Sequence, residues 1–256
     1  GYILQLKFIF MSNLQKFKRD GYLVIKLFNK KDIDNFKELI ALKLNILRKK
    51  NTFNRLNLKN YHKLIKKKNE HSELVKGSTR NFDIDFKSSK LIQKNKQLLN
   101  IINSYWGHKD FSILHKIDNR IFENKSVFRI ARPFKNYYDD VGGVHIDGHI
   151  NGKVRKKKNF INLFTIWTPL EGFSKKSSLK IYPKSHLNDH GLNNFINQKK
   201  YVSVVYDNKY VEKYKSLRLN LKKGHSILLH PNLLHGGSLN HTSLTRVSMD
   251  FRVFNL

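Results

Sequence analysis

The chain has 256 residues, 39% of them hydrophobic, and carries 50 Lys and Arg against 19 Asp and Glu, a formal net charge of +31. A chain of this length and hydrophobicity can bury a core, which excludes an intrinsically disordered protein. Because it contains no cysteine, disulfides, thiolate metal ligands and a cysteine nucleophile are excluded too.

The positive charge has two explanations. Strongly basic proteins bind nucleic acids, anionic membrane surfaces or acidic substrates. Here the lysines are spread over predicted helices and loops instead of forming one stripe, and Lys, Asn and Ile are abundant throughout, which favours the codon bias of an AT-rich genome. Either explanation predicts weak, salt-dependent binding to nucleic acids.

The first ten residues, GYILQLKFIF, are apolar, but the run is too short to span a bilayer and has no small-residue cleavage site. Met11 opens a stretch that is typical of a natural start, so we interpret residues 1–10 as an upstream extension of the reading frame. No transmembrane segment or export signal is evident, which predicts a cytoplasmic protein.

Residues 11–110 are predicted to form a helical layer that includes a first strand, Tyr22–Phe28. After this strand an amphipathic helix is expected, because apolar side chains recur every three or four positions and Asn29 can cap its first turn. The apolar positions are Ile33, Phe36, Leu39, Ile40, Leu44 and Leu47. A second helix is predicted over Lys90–Tyr105, whereas the polar residues 49–71 are expected to be irregular or marginally helical.

From about residue 111 onward, short β-branched and aromatic runs alternate with Gly, Pro, Asn and Ser clusters. Many short strands with turn residues between them are typical of an all-β sandwich or barrel. We therefore predict that residues 111–256 form an all-β jelly-roll core on which the N-terminal helices pack. The whole of 1–256 is expected to be a single domain.

The run RVSMDFRVF, residues 246–254, alternates between apolar and polar side chains. Val247, Met249, Phe251 and Val253 fall on one face, and Arg246, Ser248, Asp250 and Arg252 fall on the other. The apolar face is predicted to pack against the helices. The polar face is predicted to line an interior cavity, which usually indicates a ligand, while Asp250 and Arg252 are expected to pair with each other or with neighbours.

The stretch GGVHIDGHI carries His145, Asp147 and His149 at alternate positions of a predicted strand, so all three side chains would lie on one face. Without cysteine, a metal here must be bound through nitrogen and oxygen, which favours iron, manganese or zinc. The third ligand is expected from another strand. The downstream candidates are His225, His230, His235 and His241. Two histidines and one carboxylate form the facial triad that holds non-haem Fe(II) with open positions for other ligands.

An ordered set of motifs resembles the phytanoyl-CoA dioxygenase family. It comprises His145-x-Asp147, WTPL at 167–170, SLKIYPKSH at 178–186, and LLHGGSLN followed by Arg246. The segment FKRDGYLVIKLF near the start resembles the opening of the family, so the resemblance spans most of the chain. It implies a double-stranded β-helix of the cupin-like, jelly-roll type and an oxygenase that uses Fe(II), 2-oxoglutarate and O₂.

Carried over to this chain, the resemblance implies that His145, Asp147 and His235 are the catalytic iron ligands. His235 fits the distal ligand because Arg246 follows eleven positions later; with His230 as the ligand, the arginine would lie too far along the chain. Arg246 would pair with the distal carboxylate of 2-oxoglutarate, a task that suits a planar guanidinium.

Three further side chains are predicted to contact the cosubstrate. Ser248 shares a strand face with the arginine and could donate a hydrogen bond, and Trp167 matches a family position beside the cosubstrate, with Thr165 on the same face. Asn240 fits the asparagine of the loop after the distal histidine. The implied reaction hydroxylates a small-molecule substrate and releases succinate and CO₂, and the presence of Asp147 favours hydroxylation over halogenation.

Some polar residues near these motifs keep alternative interpretations. His149 is expected to contact the substrate or orient a ligand, since three iron ligands from one strand would strain a facial site. The basic run KVRKKK, residues 153–158, is either a solvated charge run or a contact for an anionic substrate. Arg129 and Arg132 flank the strand before the metal motif, and either could face the cavity.

Two functions of other classes compete with the oxygenase. A basic nucleic-acid-binding protein would show clustered Lys and Arg with interleaved aromatic residues, and it leaves the order of the His, Asp and Arg motifs unexplained. A cupin-like metal-binding protein or isomerase would keep the metal ligands but show no dependence on 2-oxoglutarate. The substrate cannot be identified from the sequence, because substrate choice depends on loops whose sequences follow no known rule.

Overall fold

The computed structural model describes residues 12–117, 120–137, 140–148, 163–190, 195–196 and 205–255. Residues 1–10, which we interpreted as an upstream extension, lie outside these ranges. His149 and the basic run 153–158 lie outside them as well, so their predicted roles stay predictions.

The helices lie mainly in the N-terminal part of the chain. They are α1 Asn13–Asp20, α2 Lys30–Arg48, α3 Tyr61–Leu64, α4 Lys68–Leu74, α5 Phe86–Gln93, α6 Lys96–Trp106 and α7 Asn208–Val211. The prediction for α2 is confirmed, because Asn29 caps it through its side-chain oxygen, which accepts from Asp32 N at 3.0 Å. The prediction of one continuous helix over Lys90–Tyr105 is wrong. Asn95 is extended and caps α6 by accepting from Leu98 N at 3.0 Å, which separates α5 from α6.

The strands lie mainly after residue 111. They are β1 Tyr22–Lys26, β2 Asn81–Asp83, β3 Ser112–Ile117, β4 Arg120–Glu123, β5 Lys125–Ala131, β6 Val144–His145, β7 Leu163–Glu171, β8 Lys180–Ile181, β9 Phe195–Ile196, β10 Val205–Tyr206, β11 Leu217–Arg218, β12 His225–Leu229, β13 His235–Gly236 and β14 Arg246–Phe254. Every described pairing between them is antiparallel.

The larger sheet runs in the order β1-β12-β7-β14, after which β14 pairs with β5 at one end and with β3 at the other. β5 also pairs with β2, and β3 pairs with β4. A smaller sheet has the order β11-β8-β13-β6, and β9 pairs with β10. β14 is therefore the central strand of the larger sheet and has neighbours along both edges.

The main apolar core lies between the helices and one face of the larger sheet. Val247, Met249, Phe251 and Val253 of β14 are all fully buried there, in one cluster with side chains of α1, α2 and α6. This confirms the face predicted to pack against the helices. Burying a Val, Phe or Met side chain contributes about 1.5–3 kcal/mol each, so this face is a large source of stability.

The other face of the larger sheet packs against the smaller sheet. Trp167 of β7 and Ile227 of β12 form an apolar cluster with Leu179 and with Ile181 of β8. The described fold is thus a mainly antiparallel β structure with helices against one face and a second sheet against the other. Among the described helices, none combines the length and the apolar character that a bilayer span requires.

Candidate metal centre

His145, Asp147 and His235 lie together on the smaller sheet. β6 and β13 pair so that His145 stands directly opposite His235, and their ring centroids are 4.5 Å apart. Asp147 follows β6, with Oδ2 3.4 Å from Nε2 of His235 and Oδ1 3.8 Å from Nε2 of His145. One ligand atom from each residue lies within 4.8 Å of the others, so the three side chains could hold one metal ion.

Both histidine rings are oriented by the backbone. Nδ1 of His145 lies 3.0 Å from the carbonyl oxygen of Gly143, and Nδ1 of His235 lies 2.9 Å from that of Leu233. A carbonyl oxygen only accepts, so each Nδ1 carries the proton and donates. Nε2, the atom of each ring that faces Asp147, is therefore the nitrogen that can bind a metal, and a metal there would displace any proton that it carries.

The charges of the three groups suit a divalent cation. Burial, with the neighbouring His235, lowers the pKa of His145 to about 4, so its ring is neutral at pH 7. Burial would raise the pKa of Asp147, but the charges of Arg252 and His235 outweigh it and hold that pKa well below its usual value. For His235, burial lowers the pKa, yet the charge and hydrogen bond of Asp147 give a net rise. The carboxylate is the negative group of the site.

Gly236 makes room for the ring of His145. Its φ is +111°, a backbone conformation that side chains rarely adopt, and a Cβ at this position would come within 2.6 Å of Gly143 O and 3.0 Å of His145 Nδ1. The glycine that follows His235 therefore allows the two histidine strands to approach closely.

Two side chains of the larger sheet reach across to Asp147. The Thr165 hydroxyl donates to Oδ2 at 2.5 Å, and Nη2 of Arg252 donates to Oδ1 at 3.1 Å. Thr165 and Arg252 are themselves cross-strand neighbours on β7 and β14. Sequence reasoning left Arg252 out of the site, although its alternation with Arg246 had placed it on the inward face. Thr165 was predicted to contact the cosubstrate, and the structure brings it to a candidate metal ligand.

Arg246 is buried with incomplete hydrogen bonding. Nη1 donates to Ser177 O at 3.0 Å and Ser238 O at 3.2 Å, whereas Nε is buried and has no partner among the described residues. Burial, together with the charges of Arg218 and Arg129, lowers the pKa of Arg246 to about 10, so it stays positively charged. A buried guanidinium with a free donor and no carboxylate within 4 Å among the described residues is suited to an anionic ligand.

Ser248 and Trp167 lie on the same inward surface. The Ser248 hydroxyl is fully buried and has no hydrogen-bond partner in the described part of the chain, which leaves it available to a ligand. Trp167 is 4% exposed and pairs across the sheet with Asp250 and with Ile227. Its ring contributes an apolar wall to the space between the two sheets.

The remaining candidates have other environments. The ring of His230 packs against His186 and Tyr105, with ring centroids 4.9 and 5.8 Å away, and burial lowers its pKa to about 3. His230 is therefore separate from the group of three that could hold a metal. The Asn240 amide ties its loop to β5 by donating to Ala131 O at 2.8 Å.

The two arginines before the metal motif differ. Arg132 donates to Asp140 from Nε at 2.8 Å and from Nη2 at 2.7 Å, and from Nη1 to Ile65 O, so it faces the helical layer and not the cavity. Arg129 lies on the inward face of β5 and donates from Nε to Asp250 Oδ2 at 2.6 Å.

One comparison with known proteins shows the family of this chain. A family model described as Phytanoyl-CoA dioxygenase (PhyH) matches residues 17–248. A search of curated proteins found no sequence match.

Several solved structures are similar in fold. The carbocyclase SnoK, described as non-heme and alpha ketoglutarate dependent and from nogalamycin biosynthesis, is 10% identical, with a TM-score of 0.55 over 95% of this chain and 83% of its own. EctD from S. alaskensis, solved with 2-oxoglutarate and 5-hydroxyectoine, is 15% identical, with a TM-score of 0.54 over 94% and 74%. The alpha ketoglutarate dependent epimerase SnoN is 12% identical, with a TM-score of 0.51 over 95% and 82%. At these identities the likeness is one of fold.

Proposed function

The chain belongs to the phytanoyl-CoA dioxygenase family of Fe(II)- and 2-oxoglutarate-dependent oxygenases, and from this premise we propose that it hydroxylates a small molecule and releases succinate and CO₂. The substrate would be a lipid, a sugar or a precursor of a secondary metabolite. The observation that carries the proposal is the cluster of His145, Asp147 and His235, whose ligand atoms lie within 4.8 Å of one another.

In this proposal His145, Asp147 and His235 hold the iron. Two neutral imidazoles and one carboxylate are the donor set that non-haem Fe(II) takes in a facial triad, and the backbone carbonyls that orient both rings support the assignment. Bound iron supplies the site at which 2-oxoglutarate and O₂ bind and the substrate is oxidised.

Arg246 is proposed to bind the distal carboxylate of 2-oxoglutarate. Support comes from its buried Nε and from the buried Ser248 hydroxyl, neither of which has a partner among the described residues. Trp167 would pack beside the cosubstrate and exclude water from it. Thr165 would contact both the iron ligand and the cosubstrate, because its hydroxyl donates to Asp147 and it lies two residues from Trp167 on the same strand face.

We further propose that the two facing sheets form a double-stranded β-helix of the jelly-roll type. Residues 11–110 would be its helical layer and 111–256 its core, within one domain. The cluster of Trp167, Ile227 and Ile181 supports this arrangement, because it joins the two sheets through their inward faces. The weak binding to nucleic acids and the cytoplasmic location stay predictions.

The proposal is tested by adding Fe(II) and then 2-oxoglutarate to metal-free protein without oxygen. We expect the visible metal-to-ligand charge-transfer band of the chelate to appear in the wild type and to be lost in Asp147→Ala. Iron binding without any band would instead support the cupin-like metal protein that does not use 2-oxoglutarate. No iron binding at all would contradict both.

A further inference from the structure

A second group of charged side chains lies beside the candidate metal centre. Arg129 pairs with Asp250 at 2.6 Å, and Nη1 of Arg252 is 3.9 Å from Asp250 Oδ1. Nη2 of the same Arg252 is 3.1 Å from Asp147 Oδ1. Two arginines and two aspartates thus form one alternating chain of charges that ends at the metal ligand Asp147.

Arg80 is a third guanidinium near this chain of charges, close enough for the charges of Arg129, Asp250 and Arg252 to act on it. It directly precedes Asn81, which pairs with Val127 of β5, and Val127 pairs in turn with Asp250 of β14. Burial, together with the charge of Arg129, lowers the pKa of Arg80 to about 10. Among the described residues its one hydrogen bond is from Nε to Gly77 O at 3.5 Å, and it has no ion pair there.

Among the described residues, the charges along this chain, at Arg80 and at Arg246 do not balance even with the cofactors bound. Arg80, Arg129, Arg246 and Arg252 carry four positive charges, and Asp147 and Asp250 carry two negative ones. Fe(II) would add two positive charges and 2-oxoglutarate two negative ones, with both ligating histidines neutral. Six positive charges then stand against four negative ones. This excess of two positive charges among the described groups is suited to a further anion at the partly exposed end of the chain of charges, beside Arg129.

We propose that Arg80 and Arg129 bind a compact oxyanion of the substrate, a carboxylate or a phosphate ester. Arg129 can reach a ligand because 38% of its side chain is exposed, although Asp250 beside it is buried. Among the described residues, Nη1 of Arg129 and both Nη atoms of Arg80 have no hydrogen-bond partner, so they can donate to an oxyanion. The inference rests on the proposed function, because the charge count assigns Arg246 and the iron to the cosubstrate.

The arrangement also limits where the substrate is oxidised. The chain of charges runs from Arg129 through Asp250 and Arg252 to Asp147, and the Cα atoms of Asp250 and Arg252 are about 7 Å apart along β14. The oxidised carbon would therefore lie several bonds away from the anionic group, and not at the carbon next to it.

The test is calorimetric titration of the anaerobic Fe(II) and 2-oxoglutarate complex with two probes, propionate for a carboxylate and inorganic sulfate for a phosphate ester. Sodium chloride keeps the ionic strength constant. We expect saturable binding of at least one probe, weakened at least about tenfold in Arg80→Met and in Arg129→Met, the loss of one charged hydrogen bond. The better probe identifies the class of oxyanion.

The matched control is Arg48→Met, which removes an arginine that pairs with Glu70 in the helical layer at 2.8 Å. It should bind the probes as the wild type does. Absence of saturable binding in the wild type, or equal weakening in the control, would overturn the proposal. Thermal unfolding of each variant checks its folding, and Arg80→Lys, which keeps the charge, replaces Arg80→Met if that variant does not fold.

The charge-transfer band, recorded in every sample, separates this proposal from the proposed function. A band that persists in Arg80→Met and Arg129→Met while probe binding weakens supports the substrate subsite. A band lost in those variants would mean that the cluster holds 2-oxoglutarate, which contradicts the proposal. If the wild type has no band, the proposed function fails, and the same titration of the metal-free protein still tests the oxyanion site.

Discussion

From Arg246 to Val253 both faces of β14 are buried, apart from a half-buried Arg252 on the inward face, but they differ in chemistry. Towards the helices, Val247, Met249, Phe251 and Val253 are all 0% exposed. Towards the smaller sheet, Arg246 and Asp250 are each 5% exposed and Ser248 is 0% exposed. Burial alone therefore does not separate structural from functional residues in this strand.

The two faces differ in what burial does to the free energy of folding. On the outer face, apolar side chains stabilise the fold by packing against the helices. Polar side chains lose hydration on the inward face and recover it only in part, since Arg246 Nε, Ser248 Oγ and Arg252 Nε have no partner among the described residues. Such groups lower stability unless a ligand binds them, which supports the proposal that ligands bind at the inward face.

The largest expected effect comes from removing a candidate metal ligand. His235→Ala should abolish the charge-transfer band and turnover, because the remaining imidazole and carboxylate cannot hold iron in a facial site. The midpoint of thermal unfolding of the metal-free protein should change little, since His235 contributes no apolar packing to the helical face. His241→Ala is the control in the same segment and should keep the band. Wild-type turnover in His235→Ala would refute the ligand assignment.

The opposite face should respond in stability and not in chemistry. Phe251→Ala is expected to destabilise the protein by about 3–5 kcal/mol, because it leaves a cavity among fully buried side chains. Urea unfolding measures this loss, and the folded fraction should keep the charge-transfer band. If Phe251→Ala kept its stability but lost the band, the division of β14 into two roles would be wrong.

A smaller and more selective effect is expected at Arg246. Arg246→Ala should weaken binding of 2-oxoglutarate by about 10- to 150-fold, the range for losing charged hydrogen bonds. The affinity for Fe(II) alone should stay unchanged. Titration of the charge-transfer band with 2-oxoglutarate measures the effect. An unchanged affinity would mean that another basic residue holds the distal carboxylate.

The predictions from sequence succeeded where local spacing sets the outcome. Alternation along RVSMDFRVF separated the apolar from the polar face because a strand has a period of two residues. Asn29 was identified as the cap of α2 because a capping side chain acts within the first turn. His145, Asp147 and His235 were selected from motif order, and the structure brings them together through the pairing of β6 with β13.

Contacts between residues far apart in the chain could not be predicted from the sequence. Arg129 and Arg132 looked alike, yet one faces Asp250 and the other Asp140, because they are three positions apart on or beside one strand and lie on opposite sides of it. The contact of Arg252 with Asp147 joins residues 105 positions apart, and alternation predicts only the face of Arg252, not its partner. The break between α5 and α6 was missed because the apolar residues before and after Asn95 follow a single helical spacing, which hides the polar residue that begins a new helix.

The smallest expected effect concerns Thr165, where two roles compete on the inward face. Thr165→Val keeps the shape of the side chain but removes the hydroxyl that donates to Asp147 Oδ2 at 2.5 Å. If the hydroxyl orients the iron ligand, Fe(II) affinity should fall about tenfold, the lower end for groups that hold metal ligands in place. The affinity for 2-oxoglutarate, measured at saturating iron, should change less. Thr165→Ser, which keeps the hydroxyl, should restore iron binding. The reverse pattern, with 2-oxoglutarate affected and iron unaffected, would assign Thr165 to the cosubstrate and would leave Arg252 as the side chain of the larger sheet that positions Asp147.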